Sequence, residues 1–158
     1  MKYVLNANSS LRPILVVEDN DMDLDFCLQA FSEHAVANPV IACRDGDEAI
    51  QFIDAHLSPE NKPFPLLVLL DLRLPKVDGL DVLRHARQQS AWKQVPFVIL
   101  TTSRGNADIS TAYELGANSY IVKPVDFISF VEVVKTIKMY WILTNEPPFA
   151  LRPQQPTS

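Results

Sequence analysis

The stretch "LLVLLDLRLPKVDG", Leu66 to Gly79, opens with five consecutive apolar residues and then changes abruptly to an aspartate. The apolar run has the length of a strand. It is continuous instead of alternating, which is typical of strands buried on both faces of a parallel sheet. Asp71 therefore stands at the carboxyl end of a predicted buried strand, where a charged side chain needs a role or a partner.

Similar apolar runs recur along the chain. They read "PILVVE", "PFVILT" and "NSYIVK", with a weaker run, "PVIACR". Helical patterns separate them; Asp45 is placed to begin one of these helices and Gly116 to end another. Five strands that alternate with five helices predict an α/β fold with a single doubly wound five-stranded parallel sheet and helices on both faces.

Polar side chains follow most of the predicted strands. Since ligands of such sheets bind beyond the carboxyl ends of the strands, we expect these side chains to meet on one edge of the sheet, the rim. They are three acids, Glu18, Asp19 and Asp71, a hydroxyl pair, Thr101 and Thr102, and Lys123; Cys43 and Arg44 stand at the end of the weaker run. Acids that converge in this way are hard oxygen ligands that suit Mg²⁺, and a lysine beside them attracts a phosphoryl group. An aspartate attacking in line would then form an acyl phosphate.

Each rim residue also has an ordinary structural interpretation. A single aspartate at a strand end is usually a turn or capping residue, and Lys123 by itself would be a solvated loop lysine. The joint occurrence of acids, a hydroxyl pair and a lysine at the strand ends favours a functional site.

A calcium loop is the competing interpretation of "VVEDNDMDLD", Val16 to Asp25. Such a loop needs glycine at its sixth position and glutamate at its twelfth, and neither the register from Asp19 nor that from Asp21 provides them. Glu18 and Asp19 are therefore expected to carry the chemistry. The later acids, Asp21, Asp23 and Asp25, are predicted to lie in the first turns of a helix and to face water.

Four motifs resemble the response-regulator receiver domain of two-component signalling. They are "ILVVEDN" (14–20), "LLVLLDLRLPKVDGLDVL" (66–83), "PFVILTTS" (96–103) and "ANSYIVKPV" (117–125). The resemblance covers about residues 12 to 143. It implies a flavodoxin-like fold with strand order 2-1-3-4-5 and a phosphoprotein that switches its surface.

The resemblance also implies a role for each site residue. Asp71 would accept the phosphoryl group from a sensor histidine kinase, with Lys123 pairing with a phosphoryl oxygen. Mg²⁺ would be held by Asp19, by Asp71 and by the backbone carbonyl of Arg73, with Glu18 acting through metal-bound water.

The switch residues are implied by the same resemblance. Thr101 would move its hydroxyl onto the phosphoryl group and Tyr120 would turn inward behind it. The Lys123–Pro124 bond is expected to be cis, as the family usually holds it. Arg73, two residues past the acceptor, departs from the commonest pattern and leaves the lifetime of the phosphorylated form open.

The partners follow from the absence of a recognisable output domain after the last helix, predicted for Asp126 to Thr144. We expect a stand-alone receiver similar to those that serve bacterial phytochrome kinases. An apolar arc on the last helix offers a homodimer or partner surface, with a deeper core contact as the alternative. The surface is formed by Val133, Ile137, Tyr140 and Trp141.

Composition bounds the remaining possibilities. The chain has 158 residues and a formal net charge of −5, without a basic stripe, so nucleic-acid binding is not expected. No apolar stretch is long enough to span a membrane, and a cytoplasmic location is expected. The predicted organisation is an N-terminal arm (1–11), a receiver domain (12–144) and a proline-rich, extended or disordered tail (145–158).

Two other functions compete with a phosphorylation switch. A phosphorylation-independent scaffold would use only the surfaces of the fold, but the complete set of site residues argues against it. A haloacid-dehalogenase-type phosphatase needs a second acid two residues after its nucleophile, and this chain has Arg73 there. No independent turnover of a substrate is therefore expected.

Overall fold

A six-stranded sheet forms the centre of the protein, for which the computed structural model describes the backbone of residues 2–5 and the whole of residues 10–34 and 36–152. Its strands are β1 (Lys2–Leu5), β2 (Ile14–Val17), β3 (Val40–Cys43), β4 (Leu67–Leu70), β5 (Phe97–Thr101) and β6 (Ser119–Val122). The spatial order is β1-β3-β2-β4-β5-β6. Counted over the five parallel strands β2 to β6, this order is 2-1-3-4-5, which confirms the predicted fold.

Five helices cover the two faces of the sheet. They are α1 (Asp21–Glu33), α2 (Gly46–Ala55), α3 (Gly79–Gln88), α4 (Asn106–Glu114) and α5 (Phe127–Ile137). Residues of α2, α3 and α4 share one core cluster with Leu15 and Val17 of β2. Residues of α1 and α5 share another with Ile14 and Val16. Neighbouring residues of one strand thus enter opposite cores, which explains why the apolar runs are continuous.

Local signals begin and end these helices as predicted. Asp45 precedes α2 and its side chain accepts a hydrogen bond from the backbone N–H of Glu48 at 2.8 Å. Gly116 follows α4 with a φ of +95°, in the left-handed region that favours glycine. The N–H of Ala117 then donates to the carbonyl of Ala112 and that of Gly116 to the carbonyl of Tyr113, so two of the carbonyls at the end of α4 are satisfied.

Strand β1 was not predicted. It pairs antiparallel with β3, and Tyr3 lies opposite Ile41. It falls within the expected N-terminal arm (1–11), of which residues 1 and 6–9 lie outside the described residues. The strand covers the edge of β3 that the parallel sheet leaves unpaired.

The C-terminal segment contacts the body of the protein as far as it is described. Leu151 is buried, and Arg12 donates to the carbonyl oxygens of Ala150 and Leu151 at 2.9 and 3.1 Å. Residues 145–152 belong to the segment 145–158 for which an extended or disordered tail was expected, and these contacts hold Leu151 and Ala150 against the body of the protein. Residues 153–158 lie outside the described part of the chain.

The last helix is shorter than expected and continues into a π-helical turn, Lys138–Ile142. Four residues were predicted to form a dimer surface. The prediction is wrong for Ile137, which is only 2% exposed and packs in the core shared with α1. Val133 and Trp141 are partly buried against the same core, whereas Tyr140 is 52% exposed. Within the described ranges, the helices are all too short or too polar to cross a bilayer.

Candidate functional site

The rim brings together four buried polar residues from four neighbouring strands. Glu18, Asp71, Thr101 and Lys123 are each at most 7% exposed. The backbone ladder continues past the strands to place them: the N–H of Asp71 donates to the carbonyl of Val17 at 3.0 Å, and that of Lys123 to the carbonyl of Thr101 at 2.8 Å. The predicted convergence of strand ends is therefore observed for these residues.

The Lys123 ammonium is the central group of the site. Its Nζ donates to Asp71 Oδ2 and to Asp23 Oδ2, both at 2.8 Å, and it also contacts Glu18 Oε2. Burial by itself would lower the pKa of Lys123, but the surrounding carboxylates, Glu18 foremost, raise it above its ordinary value. The group therefore stays charged, and its pairing compensates the buried acids.

The prediction that the Lys123–Pro124 bond is cis is wrong. Among the residues that the structure describes, the one cis peptide is Lys62–Pro63, in the loop before β4. The ammonium of Lys123 is held instead by its ion pairs with the carboxylates around it.

The carboxyl group of Glu18 has a raised pKa. Burial, with a contribution from Asp71, raises its pKa from 4.5 to about 7, although the ion pair with Lys123 opposes the shift. Glu18 Oε1 also accepts a hydrogen bond from the N–H of Asn20 at 3.0 Å. The side chain is thus anchored at the end of β2 and gains or loses its proton near neutral pH.

Three carboxylates at the rim have the spacing of a metal site. Glu18, Asp19 and Asp71 each offer an oxygen, and the three oxygens lie within 4.8 Å of one another. Hard oxygen donors of this kind suit Mg²⁺, which usually keeps several waters. The residues present therefore fit the predicted metal. The N–H of Arg73, whose carbonyl was predicted as a further ligand, donates to Asp71 Oδ1 at 3.1 Å.

The predicted switch residues lie on one side of the rim. Thr101 is fully buried, and its hydroxyl oxygen accepts a hydrogen bond from the N–H of Ser103 at 3.4 Å. The Tyr120 hydroxyl donates to the carbonyl of Ser103 at 3.0 Å. Both residues therefore contact the loop between β5 and α4.

Asp108 connects that loop to the segment after Asp71. Its Oδ2 accepts hydrogen bonds from Ser103 Oγ at 2.5 Å and from Arg73 Nη2 at 2.8 Å. Arg73 thus bonds to Asp71 through its backbone N–H and to the first turn of α4 through its guanidinium. Sequence reasoning missed Asp108 because the loop and the helix meet Arg73 only in the fold.

Asp23 is the other residue that sequence reasoning missed. It was assigned to a solvated helix face with Asp21 and Asp25, but it forms an ion pair with Lys123. Asp21 pairs with Arg44 instead, and Asp25 is exposed. The available signal for Asp23 was its position in the first helical turn after β2, because that turn lies next to the strand end.

Gly79 allows the backbone of Asp71 to approach α3. A Cβ at this position would lie 2.2 Å from the carbonyl oxygen of Asp71 and 2.6 Å from Cα of Leu72. The N–H of Gly79 donates to the carbonyl of Leu72 at 2.9 Å. The residue is therefore required for close packing of α3 on the end of β4.

Comparison with known proteins identifies similar chains. The family model described as the response regulator receiver domain matches residues 14–135. A probable methanogenesis regulatory protein, FilR2 of Methanothrix harundinacea, is 37% identical over 153 residues, which cover 94% of this chain and 98% of that protein.

Two further relatives are described as response regulators. Rcp1 of Synechocystis sp. is 36% identical over 137 residues, 87% of this chain and 93% of that protein. A solved structure of its Mn²⁺-bound form superposes with a TM-score of 0.79 at 35% identity, covering 87% of this chain and 99% of that chain. The phosphorylated cyanobacterial phytochrome response regulator RcpA superposes with a TM-score of 0.81 at 35% identity and the same coverage.

Proposed function

This chain belongs to the response regulator receiver domain family, and from that premise we propose that it accepts a phosphoryl group on Asp71 and switches its surface for a partner. The observation that carries the proposal is the pairing of the buried Asp71 carboxylate with Lys123 Nζ at 2.8 Å, beside two further acids. A buried nucleophile flanked by a cation and metal-ligating oxygens is suited to phosphoryl transfer.

The proposed step is an in-line displacement at phosphorus. A carboxylate oxygen of Asp71 forms the new P–O bond, and the P–N bond of a phosphohistidine donor breaks with its electron pair returning to the imidazole. Lys123 follows the negative charge from the carboxylate to a phosphoryl oxygen. The Thr101 hydroxyl donates a hydrogen bond to a second phosphoryl oxygen. This movement shifts the loop between β5 and α4, in which Ser103 is hydrogen-bonded to Thr101 and to Tyr120.

Mg²⁺ is the proposed cofactor. Asp19 and Asp71 would hold it with the carbonyl of Arg73, and Glu18 would act through metal-bound water. The ion would neutralise charge on the phosphoryl group when bound. The relative Rcp1, whose structure is described as Mn²⁺-bound, supports a divalent ion of this size.

Acetyl phosphate with Mg²⁺ tests the acceptor assignment. We expect intact-mass spectrometry to show one added phosphoryl group on the wild-type protein and none on Asp71→Asn. Asp81→Asn, a carboxylate removed from the exposed part of α3, is the matched control and should be labelled as the wild type is. Labelling of Asp71→Asn at the wild-type rate would contradict the assignment.

The proposed donor is a sensor histidine kinase of the bacterial phytochrome type. The likeness to RcpA, described as a phytochrome response regulator, supports this choice. The acyl phosphate is also proposed to hydrolyse on the protein without turnover of any other substrate. Phosphotransfer from a panel of purified kinases, phytochromes among them, would identify the donor; equal rates across the panel would contradict a phytochrome preference.

A further inference from the structure

Asp23 lies in the first turn of α1 and reaches the centre of the site. We propose that Asp23 is a positioning residue for Lys123 and holds its ammonium beside the acceptor oxygen of Asp71. This inference rests on the proposed phosphoacceptor function. Asp23 Oδ2 lies 2.8 Å from Lys123 Nζ, the same distance as Asp71 Oδ2. Its side chain is 27% exposed, so it approaches the ammonium from the outer edge of the site.

The turn between β2 and α1 fixes Asp23 in place. Asn20 caps α1, and its side chain accepts a hydrogen bond from the N–H of Asp23 at 3.0 Å. The N–H of Asn20 in turn donates to Glu18 at 3.0 Å. Glu18, Asn20 and Asp23 thus form a connected turn of which both ends contact Lys123.

Asp23 differs from the other two partners of Lys123 because it has no further role in the proposed reaction. An ammonium has three N–H donors, and here they meet Glu18, Asp23 and Asp71. In the proposed function Asp71 becomes an acyl phosphate and Glu18 serves the metal through water. Asp23 takes part in neither change, so its contact with Lys123 persists through the reaction. A persistent anchor keeps the ammonium within reach of the phosphoryl oxygens.

Nitrogen-15 NMR of lysine ammonium groups tests the contact directly, in the unphosphorylated protein without Mg²⁺. We expect a Lys123 signal slowed in exchange by its buried ion pairs, and its loss or displacement in Asp23→Asn. Asp25→Asn, which removes the same charge from an exposed position on the same helix, should leave the signal unchanged. An unaltered Lys123 signal in Asp23→Asn would overturn the inference.

The rate of phosphorylation by acetyl phosphate with Mg²⁺ tests the consequence. We expect Asp23→Asn to lower the rate roughly tenfold, since it removes one charge-assisted hydrogen bond from a catalytic group. Asp25→Asn should stay near the wild-type rate. Asp23→Glu, which keeps the carboxylate, should react faster than Asp23→Asn.

A double-variant comparison separates positioning from a general effect on the fold. In a Lys123→Gln background, Asp23→Asn should cause no further loss of rate, because the group that it positions is gone. An equal loss in both backgrounds would overturn the inference. If the wild-type protein accepted no phosphoryl group at all, the proposed function would fail, whereas the NMR signal would still decide whether Asp23 holds Lys123.

Discussion

At the scale of single residues, the site places more negative than positive charge in a buried volume. Glu18, Asp23 and Asp71 share the one ammonium of Lys123, and Asp19 stands beside them. Uncompensated charge of this kind is costly away from water. A divalent cation and a raised pKa are the two ways in which the site can offset it.

The raised pKa of Glu18 predicts a pH-dependent stability. The folded-state value of about 7 lies above the ordinary 4.5, so the contribution of protonated Glu18 is complete below about pH 4.5 and is lost as the pH rises through about 7. Without metal, we expect the free energy of unfolding to be lower by about 1 kcal/mol at about pH 8 than at about pH 6. Urea denaturation at the two pH values measures it.

Glu18→Gln and Mg²⁺ provide the controls for this prediction. Glutamine cannot ionise, so the variant should lose most of the difference between the two pH values. Mg²⁺ should stabilise the wild-type protein more at the higher pH, where Glu18 is ionised. A metal-free protein whose stability did not fall between these values, or a Gln variant with the wild-type profile, would contradict the cause assigned here.

At the scale of elements, the segments after β4 and β5 connect Asp71 to the first turns of two helices. Gly79 begins α3 directly against the backbone of Asp71. Arg73 and Ser103 both bond to Asp108 in the first turn of α4. Asp71 is therefore connected to α4 through Arg73, which bonds to Asp71 and to Asp108. This gives the proposed switch a short physical route.

Substitution of Gly79 tests how tightly α3 packs against the backbone of Asp71. Gly79→Ala would place a methyl group 2.2 Å from the carbonyl oxygen of Asp71, so backbone must shift. We expect a loss of about 2 kcal/mol or more in the free energy of unfolding, measured by urea denaturation, together with slower phosphorylation by acetyl phosphate.

Gly105→Ala is the matched control at the start of α4. Its Cβ would meet no atom nearer than Ser103 Oγ at 3.8 Å, and its φ of −65° suits any residue. We expect a cost of at most about 1 kcal/mol, from the weaker N-cap. Equal losses for the two alanine variants would contradict the packing role of Gly79.

At the scale of the whole molecule, exposed apolar side chains gather near the end of the last helix. This terminal patch consists of Met139, Tyr140 and Leu143, in and directly after the π-helical turn, each at least 52% exposed. It includes Tyr140 of the predicted dimer surface, of which Val133 and Trp141 are partly buried and Ile137 lies in the core. Trp141 packs partly against the same core, so its removal would disturb the fold as well as a surface.

A homodimer through the terminal patch is a prediction that Leu143→Glu tests. Leu143 is 62% exposed, and a charge there should lower the dimer fraction at a given concentration without destabilising the monomer. Light scattering before and after treatment with phosphodonor measures it. Leu57→Glu makes the same change at a 51% exposed leucine after α2 and should have no effect. A wild-type protein that stayed monomeric throughout would contradict the dimer.

The sequence by itself determined the parallel sheet, its five strands and the acids, hydroxyl and lysine at their ends. Continuous apolar runs report burial on both faces, and strand ends of a parallel sheet must share one edge, so Glu18, Asp71, Thr101 and Lys123 could be placed together without coordinates. These signals are local in the chain, which is why they could be read from it.

Only the tertiary structure decided which charges meet and which apolar faces are covered. Asp21, Asp23 and Asp25 look alike in sequence, but in the fold, where α1 packs against α5, Asp23 is the one of the three that pairs with Lys123. The burial of Ile137 depends in the same way on α1, and the pairing of β1 on the open edge of β3. Contacts between distant segments are set by how whole elements pack, and that information is not contained in any one stretch of the chain.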